Sequence, residues 1–284
     1  MMVDRSALLL SRAWFAADIL AGMSRGSRCP NCGACPDADA RIRWGTLHAF
    51  AVWDCRNCRL LYRPAGLIGG ALTRFYYSRI YSNANLATDA EAIAHLDRLQ
   101  AAMGDRRRAH LLRELVVLPS NRPPVVYVLG CSWGYEVWDL QQSGLRAVGI
   151  EISDPRRELG RRTLGLPLYA SVREARAREP QPDIVLSSHV LEHIPRLDAY
   201  LDDLVEIVQA TPQIHITPSV ECYRADPASQ RLVGREHPIG VTRAFWRRFA
   251  ARHSFDLTDR VDGYRPGEWA GELVAVLKKE SRTA

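Results

Sequence analysis

The sequence predicts an α/β fold: a mostly parallel sheet with helices on both faces, preceded by a small metal-bound ribbon. Three observations carry this. From Val125 onward, short apolar runs alternate with helical stretches, the pattern of consecutive βα units. Within them, Val126 to Tyr135 followed by Ala147 to Glu151 reads as strand, glycine turn, helix and second strand ending in a carboxylate. Ahead of them stand two C-x-x-C turns, Cys29 to Cys32 and Cys55 to Cys58, paired as zinc ligands are.

In chain order, Ala7 to Met23 reads as an amphipathic helix docked on the body of the protein. Its apolar start, Ala7 to Leu10, is interrupted by Arg12 and Asp18, which argues against a membrane span or a signal peptide. The chain reads as cytoplasmic, where its seven cysteines point to thiols or metal ligands rather than disulfides. The net charge of +6 comes mainly from arginines, with clusters at Arg106, Arg107, Arg108 and Arg113 and at Arg156, Arg157, Arg161 and Arg162. These read as solvated helix faces. A nucleic-acid partner is possible on charge but not favoured, because no basic stripe interleaved with aromatics accompanies them.

Each C-x-x-C turn aims two thiolates at one ion, and together Cys29, Cys32, Cys55 and Cys58 complete a tetrahedral Zn²⁺ site. A redox role would need one such turn opening a helix after a strand. The site is structural, since four protein thiolates leave no open position. Ile42, Trp44, Leu47, Phe50, Val52 and Trp53 give the intervening excursion strand character, and Cys35 is a spare candidate ligand. So small a module needs its metal to fold.

Residues 64–70 read as a Gly/Pro linker, and Ala87 to Leu118 as a helix with Leu96, Leu99, Met103, Leu111, Leu112 and Leu115 on one side. The core then runs strand Val125–Leu129, helix Glu136–Ser143, strand Ala147–Glu151, a helix from Asp154 with Pro155 in its first turn, strand Leu168–Ala170 and helix Ser171–Arg178. Strand Ile184–Ser188, helix Leu197–Gln209, strand Gln213–Thr217, an irregular stretch, helix Thr242–His253 and a closing hairpin, Phe255–Val261 with Glu272–Leu277, complete it.

The acid at the tip of the second strand can accept hydrogen bonds from both hydroxyls of a ribose, which suits NAD or S-adenosylmethionine. A dinucleotide fingerprint needs glycine at 132 and 135, where this chain has Ser132 and Tyr135; Gly130 and Gly134 fit the shorter G-x-G-x-G turn. Further on comes Pro182-Asp183-Ile184-Val185-Leu186-Ser187-Ser188-His189-Val190-Leu191-Glu192-His193-Ile194. With the glycine turn and Glu151 in the same order and spacing, this segment resembles the class I S-adenosylmethionine-dependent methyltransferases over roughly residues 122–278. Some members of that class carry a zinc-binding segment ahead of the catalytic domain, and Leu60 to Pro64 with Phe75, Tyr76, Tyr77 and Tyr81 looks like their junction.

The resemblance implies a Rossmann-like methyltransferase fold with a seven-stranded sheet, one strand antiparallel. It implies S-adenosylmethionine held by Gly130, Cys131, Ser132, Gly134, Glu151, Ser171 and Ser188. Two departures stand out: the family usually has an acid where this chain has Val128, and often another after the third strand, where Tyr169-Ala170-Ser171 stands. The wall near the methyl group would be Ser187, Ser188 and His189, followed by Glu192 and His193. In the polar stretch Gly234 to Gly240, His237 titrates in the range of a general base. His237, His193 and His189 are the catalytic candidates, with Tyr223 and Glu236 behind them. Residues 1–27 are then an N-terminal helix, 28–63 the ribbon, 64–121 a linker and helical segment, and 122–284 the cofactor domain. The expected acceptor is a small molecule methylated on oxygen or carbon, a sugar or another secondary metabolite. An RNA or protein methyltransferase reading its target through the ribbon, and a non-catalytic adenosyl-binding protein, are the alternatives.

Overall fold

The computed structural model describes residues 5–44, 51–67, 75, 76, 94, 107–209, 211–234 and 236–279. Its seven-stranded sheet has the order β10-β11-β8-β7-β4-β5-β6, where β4 is Val125–Leu129, β5 Arg146–Ile150, β6 Leu168–Tyr169, β7 Ile184–Ser188, β8 Gln213–Pro218, β10 Phe255–Asp262 and β11 Glu272–Lys279. Strands β4, β5, β6 and β7 pair in parallel, whereas β10 and β11 form the antiparallel pair expected at the C-terminus. The chain divides into two compact units, one holding β4–β7 and the other β8, β10 and β11.

In the first unit, β4 is buried along its whole length, as a central parallel strand covered on both faces must be. Helices α2 (Arg107–Leu115), α3 (Tyr135–Gln142), α4 (Asp154–Leu164) and α5 (Val172–Arg176) alternate with its strands. Asp183 ties the strand starts together: it accepts from the Val125 amide at 2.7 Å and receives both terminal nitrogens of Arg122. Of the helix expected over 87–118, only 94 and 107–118 fall within the described part, and there the helix ends at Leu115, short of Leu118; Leu96, Leu99 and Met103 lie outside it, as do Leu47, Phe50, Tyr77 and Tyr81.

The second unit contains a four-stranded sheet, β1-β2-β3-β9, from Arg41–Trp44, Ala51–Asp54, Leu61–Tyr62 and Ile239–Gly240. The last strand was not expected. It comes from the stretch read as irregular, and it pairs Leu61 with Gly240 and Tyr62 with Ile239. The metal-ligand module therefore shares a sheet with residues almost two hundred positions away. Its apolar core is shared too: Val52 and Leu61 pack with Ile19, Val220, Tyr223 and Val233.

Helix α1 (Arg5–Ser24) spans the segment read as an amphipathic helix. Its buried side carries Ser11, Asp18, Ile19 and Gly22, while Leu9, Leu10, Leu20 and Met23 are exposed. Asp18, read as a polar interruption, is fully buried against Arg63 at 2.7 Å. Its other oxygen accepts from the amides of Gly66 and Leu67. Arg63 in turn donates from Nε to the Gly234 carbonyl at 2.6 Å and lies over the Phe15 ring. A buried ion pair is tolerated only when both partners are satisfied this fully. At Gly22 a Cβ would meet the Ala65 nitrogen at 2.5 Å, so glycine lets α1 close on this turn.

His215 of β8 is wholly buried, its ring parallel to Trp246 of α7 (Arg243–His253) at 5.1 Å between centroids. Burial pushes its pKa down to about 3. An unfolded histidine titrates near ~6.5, so between these values only the unfolded chain takes up the proton. Stability is therefore expected to fall as pH drops from about 6.5 towards 3. Denaturant midpoints at pH 7 and pH 4 should differ less in His215→Leu than in wild type; equal differences would remove His215 from this account.

Candidate functional site

The cofactor cradle lies in the first unit. Strand β4 ends at Gly130, which is exposed and has φ 62°, so a ligand can approach its backbone. Ser132 also has positive φ, 55°. Gly134 caps α3 at φ 95°, where a Cβ would strike Leu166 Cδ1 at 2.6 Å; only glycine closes this turn. Cys131 turns its thiol inward, burial raising it well above its ordinary range, so backbone is what it offers a ligand.

Glu151 sits at the tip of β5 with its carboxylate fixed from both sides. Oε2 accepts from the Ser132 amide at 3.0 Å and Oε1 from the Ser153 amide at 2.8 Å. Each oxygen keeps a further lone pair for a hydroxyl donor. Burial raises the carboxyl, opposed by those two amides and by Arg156 and Arg157. Arg156 Nη1 donates to Ser132 Oγ at 2.6 Å, and Arg157, only 8% exposed, donates to the Glu151 carbonyl and pairs with Asp154. Two members of an arginine cluster read as solvated thus brace the cradle. Ser171 caps α5, its hydroxyl accepting from the Glu174 amide at 3.1 Å. Its own proton remains available to a ligand.

The three candidate histidines lie together in the second unit. His189, just past β7, has φ 55°, a conformation rare outside glycine and concentrated at functional sites. Its Nε2 meets Glu272 Oε1 at 2.8 Å, and its Nδ1 stands 3.6 Å from Glu192 Oε1. Burial lowers its pKa, but the two carboxylates overcome this and push it up to about 9; His189 is a cation at neutral pH. His193, in the 3₁₀ turn Leu191–His193, bonds through Nδ1 to the Glu236 carbonyl at 2.9 Å. His237 bonds through Nδ1 to the Leu232 carbonyl at 2.8 Å. A carbonyl can only accept, so Nδ1 carries the hydrogen in both rings and Nε2 keeps its lone pair. The two rings meet edge to face at 4.6 Å. Ser188, the last residue of β7, is half-buried beside this turn in sequence.

The four cysteines also converge. Cys29 and Cys58 sulfurs are 3.6 Å apart, those of Cys32 and Cys55 3.5 Å, and all four lie within 4.8 Å of one another. A disulfide would be ~2.05 Å. Thiolates ~2.3 Å from one zinc ion stand about 3.8 Å apart, so the spacing fits a single tetrahedral ion. Cys35 is exposed and outside the group.

Residues 128–211 match the family described as "Methyltransferase domain". Over these residues the chain matches a methyltransferase domain, in line with the resemblance to the class I S-adenosylmethionine-dependent methyltransferases. No curated protein matches its sequence. Solved structures similar to it include a putative S-adenosylmethionine-dependent methyltransferase from Listeria monocytogenes, 17% identical over 60% of this chain and 97% of that one, with a TM-score of 0.44. A TehB-like methyltransferase from Corynebacterium glutamicum is 16% identical over 67% and 97% (TM-score 0.46). The magnesium protoporphyrin IX methyltransferase of Synechocystis is 13% identical over 73% and 96% (TM-score 0.44).

The methyltransferase match begins at Val128, the position without the family's usual acid, which is fully buried in β4. Sequence reasoning missed Arg156 and Glu272 altogether. Arg156 sat in a run of arginines that read as surface. Glu272 opens a strand eighty-three residues from His189, and no local signal links the two.

Proposed function

We propose that this methyltransferase acts on a small molecule, on oxygen or on an acidic carbon, and that His237 takes the acceptor's proton. The observation that carries this reading is His237, its Nδ1 anchored on the Leu232 carbonyl and its Nε2 left as a base, beside His193 and the buried carboxylate of Glu192. A cluster this enclosed suits an acceptor that inserts, not one read across a surface. Bound S-adenosylmethionine supplies an electrophilic methyl on sulfur, so the protein has to align the acceptor, exclude water and remove a proton. Glu151 would hold the ribose hydroxyls, with the backbone of Gly130 to Gly134 along the remainder of the nucleoside. Cys29, Cys32, Cys55 and Cys58 would hold one structural zinc.

The cofactor part is tested at Glu151. Its hydrogen bonds to a ribose are charge-assisted, worth about 1.5–3 kcal/mol each. Glu151→Ala is expected to weaken S-adenosylmethionine and S-adenosylhomocysteine alike, on the order of tenfold to several hundredfold. Their ratio should hold, because both carry the ribose. NAD should not bind, since Ser132 and Tyr135 occupy its glycine positions. Calorimetric titration of the three ligands against both proteins decides this; equal affinity in wild type and variant would overturn the assignment. The acceptor is sought by following labelled methyl into a panel of hydroxylated and enolisable small molecules, with RNA and protein as the opposing arms.

A further inference from the structure

Glu192 is 2% exposed, and among the described residues neither of its carboxylate oxygens has a donor within 3.5 Å. A buried carboxylate in that condition is costly unless positive charge faces it. Three imidazoles surround it: His189 with Nδ1 at 3.6 Å, and His193 and His237, each with a ring nitrogen within 4.8 Å of a Glu192 oxygen. We propose that Glu192 is a positioning residue whose fixed negative charge stabilises the imidazolium formed when the histidine pair takes the acceptor's proton. The inference rests on the base role given to His237 above and names the group that makes that role effective.

The charges around the cluster come from four places in the chain. The 3₁₀ turn supplies Glu192 and His193, the residues just before it His189, the start of β11 Glu272, and the segment before β9 Glu236 and His237. His189 is shared between Glu272 and Glu192. Three carboxylates, Glu192, Glu272 and Glu236, against one resident imidazolium leave an excess negative charge. Burial would raise the Glu192 carboxyl, but His189, His193 and His237 hold it below its ordinary value, so it stays ionised. Burial lowers His193 against the pull of Glu192, which keeps that ring neutral and basic at rest. In the step itself, the bond between the acceptor atom and its hydrogen breaks. The electron pair stays on the acceptor atom for its attack on the methyl carbon, and the proton forms an N–H bond at Nε2. The new cation then lies beside Glu192 in a site of low dielectric, where opposite charge acts most strongly. The carboxylate need not touch the acceptor to do this.

The test is histidine ring ¹⁵N NMR on the full-length, zinc-loaded protein with S-adenosylhomocysteine, for wild type, Glu192→Gln and Glu192→Asp. Gln keeps the shape and removes the charge. Loss of a facing negative charge disfavours each imidazolium, so the midpoints of the cluster histidines should move to lower pH in Glu192→Gln by about one unit or more. Glu192→Asp should restore most of that shift. S-adenosylhomocysteine affinity and melting temperature, measured on the same samples, separate this from misfolding. Midpoints that stay in place in a folded Glu192→Gln protein would overturn the proposal. So would a second bound metal equivalent in wild type, beyond the one expected at the cysteines, that Glu192→Gln loses. That result would make Glu192, His193 and His237 a metal centre instead. Failure of the base reading is seen separately: His237→Ala would leave methyl transfer intact whatever the NMR shows.

Discussion

His237→Ala is expected to lower methyl transfer by about 10²–10⁴-fold, the range for removal of a general base, with S-adenosylhomocysteine affinity nearly unchanged. The side chain has one anchored nitrogen: its Nδ1–H is committed to the Leu232 carbonyl. Replacement by alanine removes the only lone pair this residue offers and leaves that carbonyl without its ring partner. The cradle does not involve it, because Glu151 is held by Ser132 and Ser153. The measurement is single-turnover formation of S-adenosylhomocysteine with the acceptor found in the panel, alongside calorimetry for the cofactor. A rate equal to wild type would take His237 off the catalytic list and shift the role to His193, whose Nδ1 is anchored in the same way. His189 is a weaker heir, since a ring protonated up to about pH 9 has no lone pair to offer at neutrality.

What the sequence disclosed follows from how local each signal is. The strands of the parallel sheet are continuous apolar runs closed by turn residues, and their observed bounds fall within a residue or two of those read from periodicity. Gly134 and Glu151 were legible because backbone geometry demands a glycine at φ 95° and because a carboxylate at a strand tip is a positional signal. The cysteines announced themselves by spacing. Long-range pairings were silent. Ile239–Gly240 is too short for any periodicity, and only its partner at Leu61–Tyr62 makes it a strand. Asp18 looked like a break in an apolar helix because its partner, Arg63, lies forty-five residues on. Glu192 was visible within its motif, but its burial among three histidines appears only once the fold is in place.

Those same pairings make zinc removal the other large effect. Cys58 is buried and lies three residues before Leu61, whose strand holds Gly240; Arg63, next in line, donates its amide to the Pro238 carbonyl at 3.0 Å and its Nε to Gly234. His237 is therefore carried on a segment held at both ends by residues that follow closely on Cys58. The other knuckle is tied down as well. Asn31, between Cys29 and Cys32, accepts from the Asp198 amide at 2.8 Å and donates to its carboxylate at 2.9 Å, which satisfies an open amide in the first turn of α6 (Leu197–Val208). Structural zinc contributes about 10–16 kcal/mol in small zinc-dependent folds, comparable with or above the ~5–15 kcal/mol that holds a whole domain folded. Cys58→Ser, or chelation of the wild type, is thus expected to release about one equivalent of zinc per chain. Amide protection at Tyr62, Arg63 and Gly240 should fall, and turnover should drop with it. The amides of Ser132 and Ser153 should stay protected, and S-adenosylhomocysteine should still bind, because the carboxylate they hold owes nothing to the cysteines. Hydrogen exchange with and without metal separates the two regions in one experiment. Metal-free protein that keeps Tyr62 and Gly240 protected would show that the ribbon sheet stands on its apolar core with Ile19, Val220 and Val233, and that the four thiols are not what orders the His237 segment.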